Sequence, residues 1–281
     1  MPIDLHVHST ASDGTDPPAR VVAVAAAAGL DTIALTDHDT AAGWEEAAGA
    51  ARRMGVRLVP GAEISCSAGG LGVHLLAYLF DPTEPALLAE LERTRDDRLH
   101  RARRMVARIA IDHDLTWADV LAQAEGGATV GRPHIADAMI AKGLVGSRDE
   151  AFATVLHGRS PYYLPHYAPD AARTIGLVRA AGGVAVLAHP RAGRRGRSVS
   201  AEMIAELAGA GLAGLEVDHP DHDEAAREGL RTLAADLGLL VTGASDYHGT
   251  GKSIAIGSNT TSPDALEAII AAGDASRLVP G

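Results

Sequence analysis

Seven short runs of β-branched and aliphatic residues set the frame: DLHV near the start, TIALT at 32–36, VRLVPG at 56–61, GVHLLAYLF at 72–80, GVAVLAHP at 183–190, GLEVDHP at 214–220 and LLVTGASD at 239–246. Between most of them lie Ala-rich stretches with helical spacing of apolar residues, at 17–29, 40–54, 169–182, 200–210 and 221–237. Strand and helix in alternation pack as a parallel sheet covered by helices, either closed into a barrel or open and doubly wound. The polar residues choose between the two. His and Asp stand at or just past the ends of five or more of the runs, and only a barrel gathers that many strand ends at one mouth.

One stretch breaks the rhythm. Residues 84–164 read as helix throughout, from a long charged segment at 84–112 to TWADVLAQA, RPHIADAMIAKG and SRDEAFATVLHG. That is too long for a βα loop. The expected division is a barrel domain of residues 1–83 and 165–281 with an inserted helical subdomain, 84–164, hanging over the barrel mouth. A chain of 281 residues with 47% hydrophobic content has material for both.

The N-terminal stretch IDLHVHSTASDG carries His6, His8 and Asp13 close together. Ile3, Leu5 and Val7 alternate with Asp4, His6 and His8, the period of a strand with one face buried. Both imidazoles then point the same way, about 7 Å apart along the strand. Two same-face histidines suit a cation better than a core, where both would need partners. Further strand ends add His38 in TDHD, Glu63 in GAEIS, His74 in GVH, His189 in AHP, and Asp246 with His248 in SDYHG. Taken singly, His38 or His74 reads as an ordinary buried histidine, and Asp13 in SDG as a turn residue. Taken together they form a donor set of imidazole and carboxylate, which favours Mn²⁺, Fe²⁺ or Zn²⁺. The nine exceed what one ion can use. Two or three ions sharing Glu63 account for the number, and clustered metals imply hydrolysis through a metal-bound hydroxide at phosphorus or carbonyl carbon.

Composition narrows the partners. A net charge of −11 disfavours a basic surface for long nucleic acid. A single cysteine, Cys66, rules out an internal disulfide or a multi-cysteine metal site. The longest apolar run, VVAVAAAAGL at 21–30, is too short to span a bilayer, and the strand begins almost at once after Met1. The expectation is a cytoplasmic protein without membrane contact.

DLHVHSTASDGT, ALTDHDT, PGAEIS, HLLAY, GRPHIADAMI, LAHP and SDYHG together resemble the PHP superfamily, named for polymerase and histidinol phosphatase, over nearly the whole chain. Among its members the resemblance is nearest to the stand-alone bacterial phosphoesterases that act on small nucleotides, such as 3′,5′-nucleotide bisphosphates. It implies a distorted (β/α)7 barrel and a trinuclear metal site. In that pattern His6, His8, Glu63 and Asp246 hold one ion, Asp13, His38 and His248 a second, and Glu63, His74 and His189 a third. Asp13 stands where relatives of the histidinol phosphatase type carry a histidine. Glu63, Asp246 and His189 are expected at the reacting centre, and a small phosphorylated nucleotide or a short RNA end is the expected substrate.

Substrate contacts are sought in the basic residues. Arg132 and His134 in GRPHIA stand at a helix start, a ready anion site, though alone Arg132 reads as surface charge. The resemblance implies that both touch substrate phosphate. PRAGRRGRS offers Arg191, Arg194, Arg195 and Arg197 on a loop after His189, and Lys252 follows HGTG. His219 and His222 read as pocket residues, and His100, His113, His157 and His166 as bystanders. Asp4 and Asp37 are expected to orient ligand imidazoles, and Asp39 to cap the helix starting near Thr40. Two rival readings fit less well. A C–N hydrolase of the amidohydrolase type lacks a lysine at a strand end to bridge its metals. A non-catalytic metal-binding module fits poorly with so complete a ligand set.

Overall fold

The computed structural model describes residues 2–124, 128–192 and 198–281. Seven strands form one sheet in sequence order: β1 Ile3–Val7, β2 Thr32–Leu35, β3 Arg57–Ala68, β4 Leu71–Tyr78, β5 Val184–Ala188, β6 Gly214–Asp218 and β7 Leu240–Gly243. Past β7 the chain returns to β1, where His8 N–H donates to the Tyr247 carbonyl at 2.9 Å and Val7 bridges Tyr247. The sheet thereby nearly closes into a barrel.

The expected parallel sheet needs one correction. β4 runs antiparallel to both β3 and β5. The cause is a hairpin: Gly69 and Gly70 both have positive φ, 55° and 80°, so a two-residue turn sends the chain straight back. Reversal also corrects the placement of His74, which stands early in β4 rather than at its end. It faces Ser65 on one side and Ala188 on the other, level with the C-terminal ends of the parallel strands.

β1 also differs from expectation, since all five of its residues are buried rather than one face alone. Helices cover the outside as the inside fills. α1 Pro18–Ala27 and α2 Trp44–Met54 lay Val21, Val22, Ala47 and Ala50 against Ile33, Leu35 and Leu58. By the two-residue alternation, Val59, Gly61 and Glu63 share one face of β3, and His74, Leu76 and Tyr78 one face of β4. The apolar members join Leu5, Val186 and, from the C-terminal helix Pro263–Ala272, Leu266 and Ile269 in one cluster. The polar members lie at the mouth.

Between β4 and β5 come α3 Pro85–Ile109, α4 Trp117–Leu121, α5 Arg132–Ala141, α6 Arg148–Thr154 and α7 Ala171–Ala180, with no strand among the described residues. α3 belongs to two cores. Leu87 and Leu91 pack with the barrel residues Ile64, Leu75 and Ile175. Met105, Val106 and Ile109 pack with Leu115, Ile135, Met139 and Leu156 in a separate cluster. α8 Ala201–Gly209, α9 Glu224–Leu237 and α10 Pro263–Ala272 complete the outer layer. No helix among the described residues is long and apolar enough to cross a membrane.

Candidate metal centre

Glu63 sits where β3 passes beyond the end of β2, bridged to His38 across the sheet. Its two oxygens meet five imidazoles. Oε1 lies 2.6 Å from His74 Nδ1 and 2.9 Å from His189 Nε2; Oε2 lies 3.3 Å from His6 Nε2, 3.2 Å from His8 Nε2 and 3.2 Å from His38 Nδ1. A carboxylate can accept a handful of hydrogen bonds, but these rings cannot all donate. His6 Nδ1 is taken by Glu216 Oε1 at 2.8 Å, so its Nε2 carries a lone pair in the neutral tautomer. That Nε2 stands 3.0 Å from His8 Nε2, nitrogen facing nitrogen. His38 Nδ1 is buried with no hydrogen-bond partner. Ring nitrogens crowded this closely on one another around a single carboxylate stand as the donors of a cation site would.

Asp13 forms the second focus. Its Oδ1 lies 3.3 Å from His248 Nε2 and 3.6 Å from His8 Nδ1, and its Oδ2 3.6 Å from His38 Nε2. Ligand atoms of His8, Asp13, His38 and His248 all fall within 4.8 Å of one another, as do those of His6, His8 and Glu63, and of His38, Glu63 and His74. Asp246 Oδ1 reaches His6 and His8 Nε2 at 3.6 and 3.5 Å. The nine residues singled out in the sequence thus converge on one mouth. Two of them, His189 (φ 31°) and Asp246 (φ 55°), hold left-handed backbone that non-glycine residues seldom adopt. Such strain collects at working sites, where side-chain aim outweighs backbone comfort.

The charges match this geometry. Burial opposes a proton on His8, but Asp246, Glu63 and Asp13 outweigh it and push its pKa up to about 9. Burial likewise opposes charge on Glu63 and Asp13, yet the surrounding histidines hold both well below the usual carboxylate range. His8's folded pKa therefore exceeds its ordinary 6.5, and in the metal-stripped protein its stabilising contribution is complete below 6.5 and lost as pH rises through about 9. Adding a divalent metal at pH 7 should then release protons, read in weakly buffered solution. Metal uptake with no proton release would remove His8 from the ligand set.

Residues 4–105 match the family described as PHP domain. A 3′,5′-nucleoside bisphosphate phosphatase of Chromobacterium violaceum is 35% identical over 257 residues, covering 89% of this chain and 88% of its own. This chain belongs to the PHP family. A 5′-3′ exoribonuclease of Haemophilus influenzae is 34% identical over 268 residues, 94% of this chain and 96% of its own. Among PHP-like structures, a candidate metal-dependent phosphoesterase from Bifidobacterium adolescentis superposes with a TM-score of 0.94 at 41% identity, covering 97% of this chain and 98% of that one.

Several residues around the PHP centre stand differently from the sequence reading. Glu216, on β6, is the carboxylate that orients His6, and its Oε2 also accepts from His189 N–H at 2.8 Å. Nothing singled it out beforehand, although the alternation in GLEVD places it opposite Leu215 and Val217. Asp4 does not touch an imidazole. It accepts from Ser245 N–H and Oγ and from Gly257 N–H, tying the segment after β7 to β1. Asp37 accepts from Ser9 and Ser12 and reaches His8 only through Ser12 Oγ. Asp39 is not the cap of α2, which starts at Trp44 after Gly43. With φ at 55°, Asp39 turns its carboxylate to Ser65 N–H and Oγ and to Arg98 Nη1.

The proposed substrate contacts divide. Lys252 does reach the centre, pairing with Asp246 Oδ2 at 2.6 Å, where His219 Nε2 stands at 3.3 Å. His134 is buried, accepts from Gly131 N–H at 3.2 Å, and lies within electrostatic reach of Asp13. Arg132 donates to the Leu156 carbonyl and lies over the rings of Phe152 and Tyr163. Arg191 donates to Ser198 Oγ and lines a groove with Ala225 and Asp236, on the α9 side. Arg194, Arg195 and Arg197 lie outside the described residues. Arg98 and Arg148 were missed. Arg148 pairs with both Asp137 oxygens and donates to the Asp13 carbonyl, fastening α6 to the turn that carries Asp13.

Proposed function

We propose that this chain hydrolyses a phosphate ester of a small nucleotide or of a short RNA end. The observation supporting this is the set of five imidazoles around Glu63 in a chain whose relatives are phosphatases and exoribonucleases. Two or three ions of Mn²⁺, Fe²⁺ or Zn²⁺ would be held by His6, His8, Asp13, His38, Glu63, His74, His189, Asp246 and His248. When bound, such ions supply Lewis acidity at phosphorus and an activated water.

The chain's own part is positioning. Glu63 and Asp13 gather the rings, and Glu216 fixes the tautomer of His6 through its Nδ1 proton. Lys252 keeps a positive charge at the edge of the centre, beside Asp246. Arg132 and His134, at the start of α5, would hold a phosphate from the helical side of the cleft, and the segment 84–164 serves as the subdomain that selects substrate. Phosphate release from a nucleotide panel by metal-loaded protein tests the reading, with a 3′,5′-bisphosphate, a cyclic phosphate and a 5′-phosphorylated oligoribonucleotide included. Absence of metal-dependent hydrolysis across the panel ends it.

Arg132→Ala should lower kcat/KM for a nucleotide about 10- to 200-fold, the loss expected for a charged hydrogen bond to phosphate. Metal content should not change. An Arg132→Ala enzyme equal to wild type on every nucleotide would return the residue to a packing role against Phe152 and Tyr163.

A further inference from the structure

Every strand except β6 carries one of the nine candidate ligands, on itself or on the turn that follows it. Yet β6 and its own turn place Glu216 and His219 in the centre, both 0% exposed. The His219 ring lies 5.1 Å from that of His189 and 6.4 Å from that of His6, centroid to centroid. By residue type and company it would pass for a tenth ligand. Its hydrogen bonds assign it another role. His219 Nδ1 accepts from Asp221 N–H at 3.0 Å, so the ring hydrogen stands on Nε2. That nitrogen donates to Asp246 Oδ2 at 3.3 Å. A ring nitrogen that carries hydrogen has no lone pair to give an ion.

We propose that β6 is the bracing strand of the centre and that His219 is the positioning residue for Asp246, its Nε2–H setting which carboxylate oxygen faces the ions. The inference rests on the reading of the barrel mouth as a metal centre. Lys252 Nζ donates to the same Oδ2 at 2.6 Å, and with both donors there the carboxylate turns Oδ1 towards His6 and His8 Nε2, at 3.6 and 3.5 Å. Lys252 is a loose brace alone, being 26% exposed on a flexible stem. His219 is fixed on both sides, since its carbonyl also accepts from Arg227 Nη2 at 3.0 Å. Asp246 needs such a hold, because its left-handed backbone, φ 55°, aims the side chain at a cost. Neighbours in the same stretch do the same for other ligands. Glu216 takes His6 Nδ1 and His189 N–H. His222 donates from Nδ1 to the Val217 carbonyl, and its Nε2 accepts from Arg191 N–H at 3.1 Å, two residues past His189.

The test compares His219→Gln and His219→Asn with wild type. The Gln amide reaches as far as Nε2 and keeps an N–H there, whereas the Asn amide ends level with Nδ1 and falls short of Asp246. Each metal-free protein is titrated with Co²⁺ alone, whose visible absorption reports both affinity and coordination. His219→Asn should bind the ion that Asp246 helps to hold about 10- to 100-fold more weakly and with an altered spectrum, and His219→Gln should stay within about fivefold of wild type. Equal affinity in all three proteins overturns the positioning role. So does a Gln variant as weak as the Asn variant, which would make the ring itself a ligand. Thermal unfolding checks that each variant is folded, and His219→Met, which fills the ring's volume without a donor, takes the place of the Asn variant should that one fail to fold. Turnover is read separately. If wild type binds Co²⁺ but hydrolyses no phosphate ester, the proposed reaction fails, while the order of affinities still supports or overturns the role of His219. A wild type that takes up no Co²⁺ overturns both.

Discussion

Glu63→Gln should abolish nearly all turnover and strip metal from the protein while leaving the barrel folded. The amide has the shape of the carboxylate but lacks its charge, and one of its two oxygens becomes a donor. Five ring nitrogens now focus on that group, at 2.6 to 3.3 Å, and lone pairs aimed at an N–H₂ cannot share a cation with it. Loss of a group shared by more than one ion should cost about a thousandfold or more in kcat. Circular dichroism should be unchanged, because Glu63 sits in a long strand paired over its whole second half with β4. Metal analysis and steady-state rates check the expectation; wild-type metal content and turnover together would place the ions elsewhere.

Asp13→Ala should lower metal stoichiometry and cut the rate about a hundredfold or more. The rival view makes Asp13 a turn residue, worth roughly 1 kcal/mol or less to stability and nothing to rate. Local hydrogen bonding separates the two. The turn is closed by Ser12 N–H and Gly14 N–H donating to the Ser9 carbonyl, and Arg148 grips the Asp13 backbone carbonyl, so none of these bonds needs the carboxylate. The carboxylate instead faces three histidines. Full activity with a modest fall in Tm would favour the turn.

The barrel and the convergence of histidines and carboxylates at its mouth were legible because each depends on short-range pattern. The aliphatic runs lie within a few residues of the strands except for β3, which continues seven residues past its expected end to Ala68, and His6, His38, His189 and His248 stand at or just past strand ends or their extensions. The reversal of β4 was harder to read, since a hairpin strand and a parallel strand share one period and Gly69-Gly70 also suits a loop. Glu216 was hidden for a related reason: in a strand buried on both faces, an inward carboxylate looks no different from an outward one. Asp39 read as a cap by local rule, yet Ser65 and Arg98, 26 and 59 residues away, claimed it. Arg98 and Arg101 were hidden in the charged middle of α3, where the run ERTRDDRLHRARR reads as solvated until something packs over it.

Because β4 runs backwards, the chain leaves it at the end of the barrel opposite the candidate metal centre, and α3 has to travel the full height of the fold. Its 25 residues span about 37 Å. Leu87 and Leu91 root it in the barrel core, Arg95 and Arg98 reach Asp39 near the mouth, and Met105 and Ile109 carry the helical cluster beyond. One continuous rod therefore acts as a phase-setting shaft between the catalytic end and the segment above it. Loss or gain of a single residue along it would turn everything distal by about 100°, rotating the helical cluster against the barrel while leaving every strand intact. Exchange of such a segment between related barrels is consequently confined to whole helical repeats, a constraint imposed by the direction of one strand.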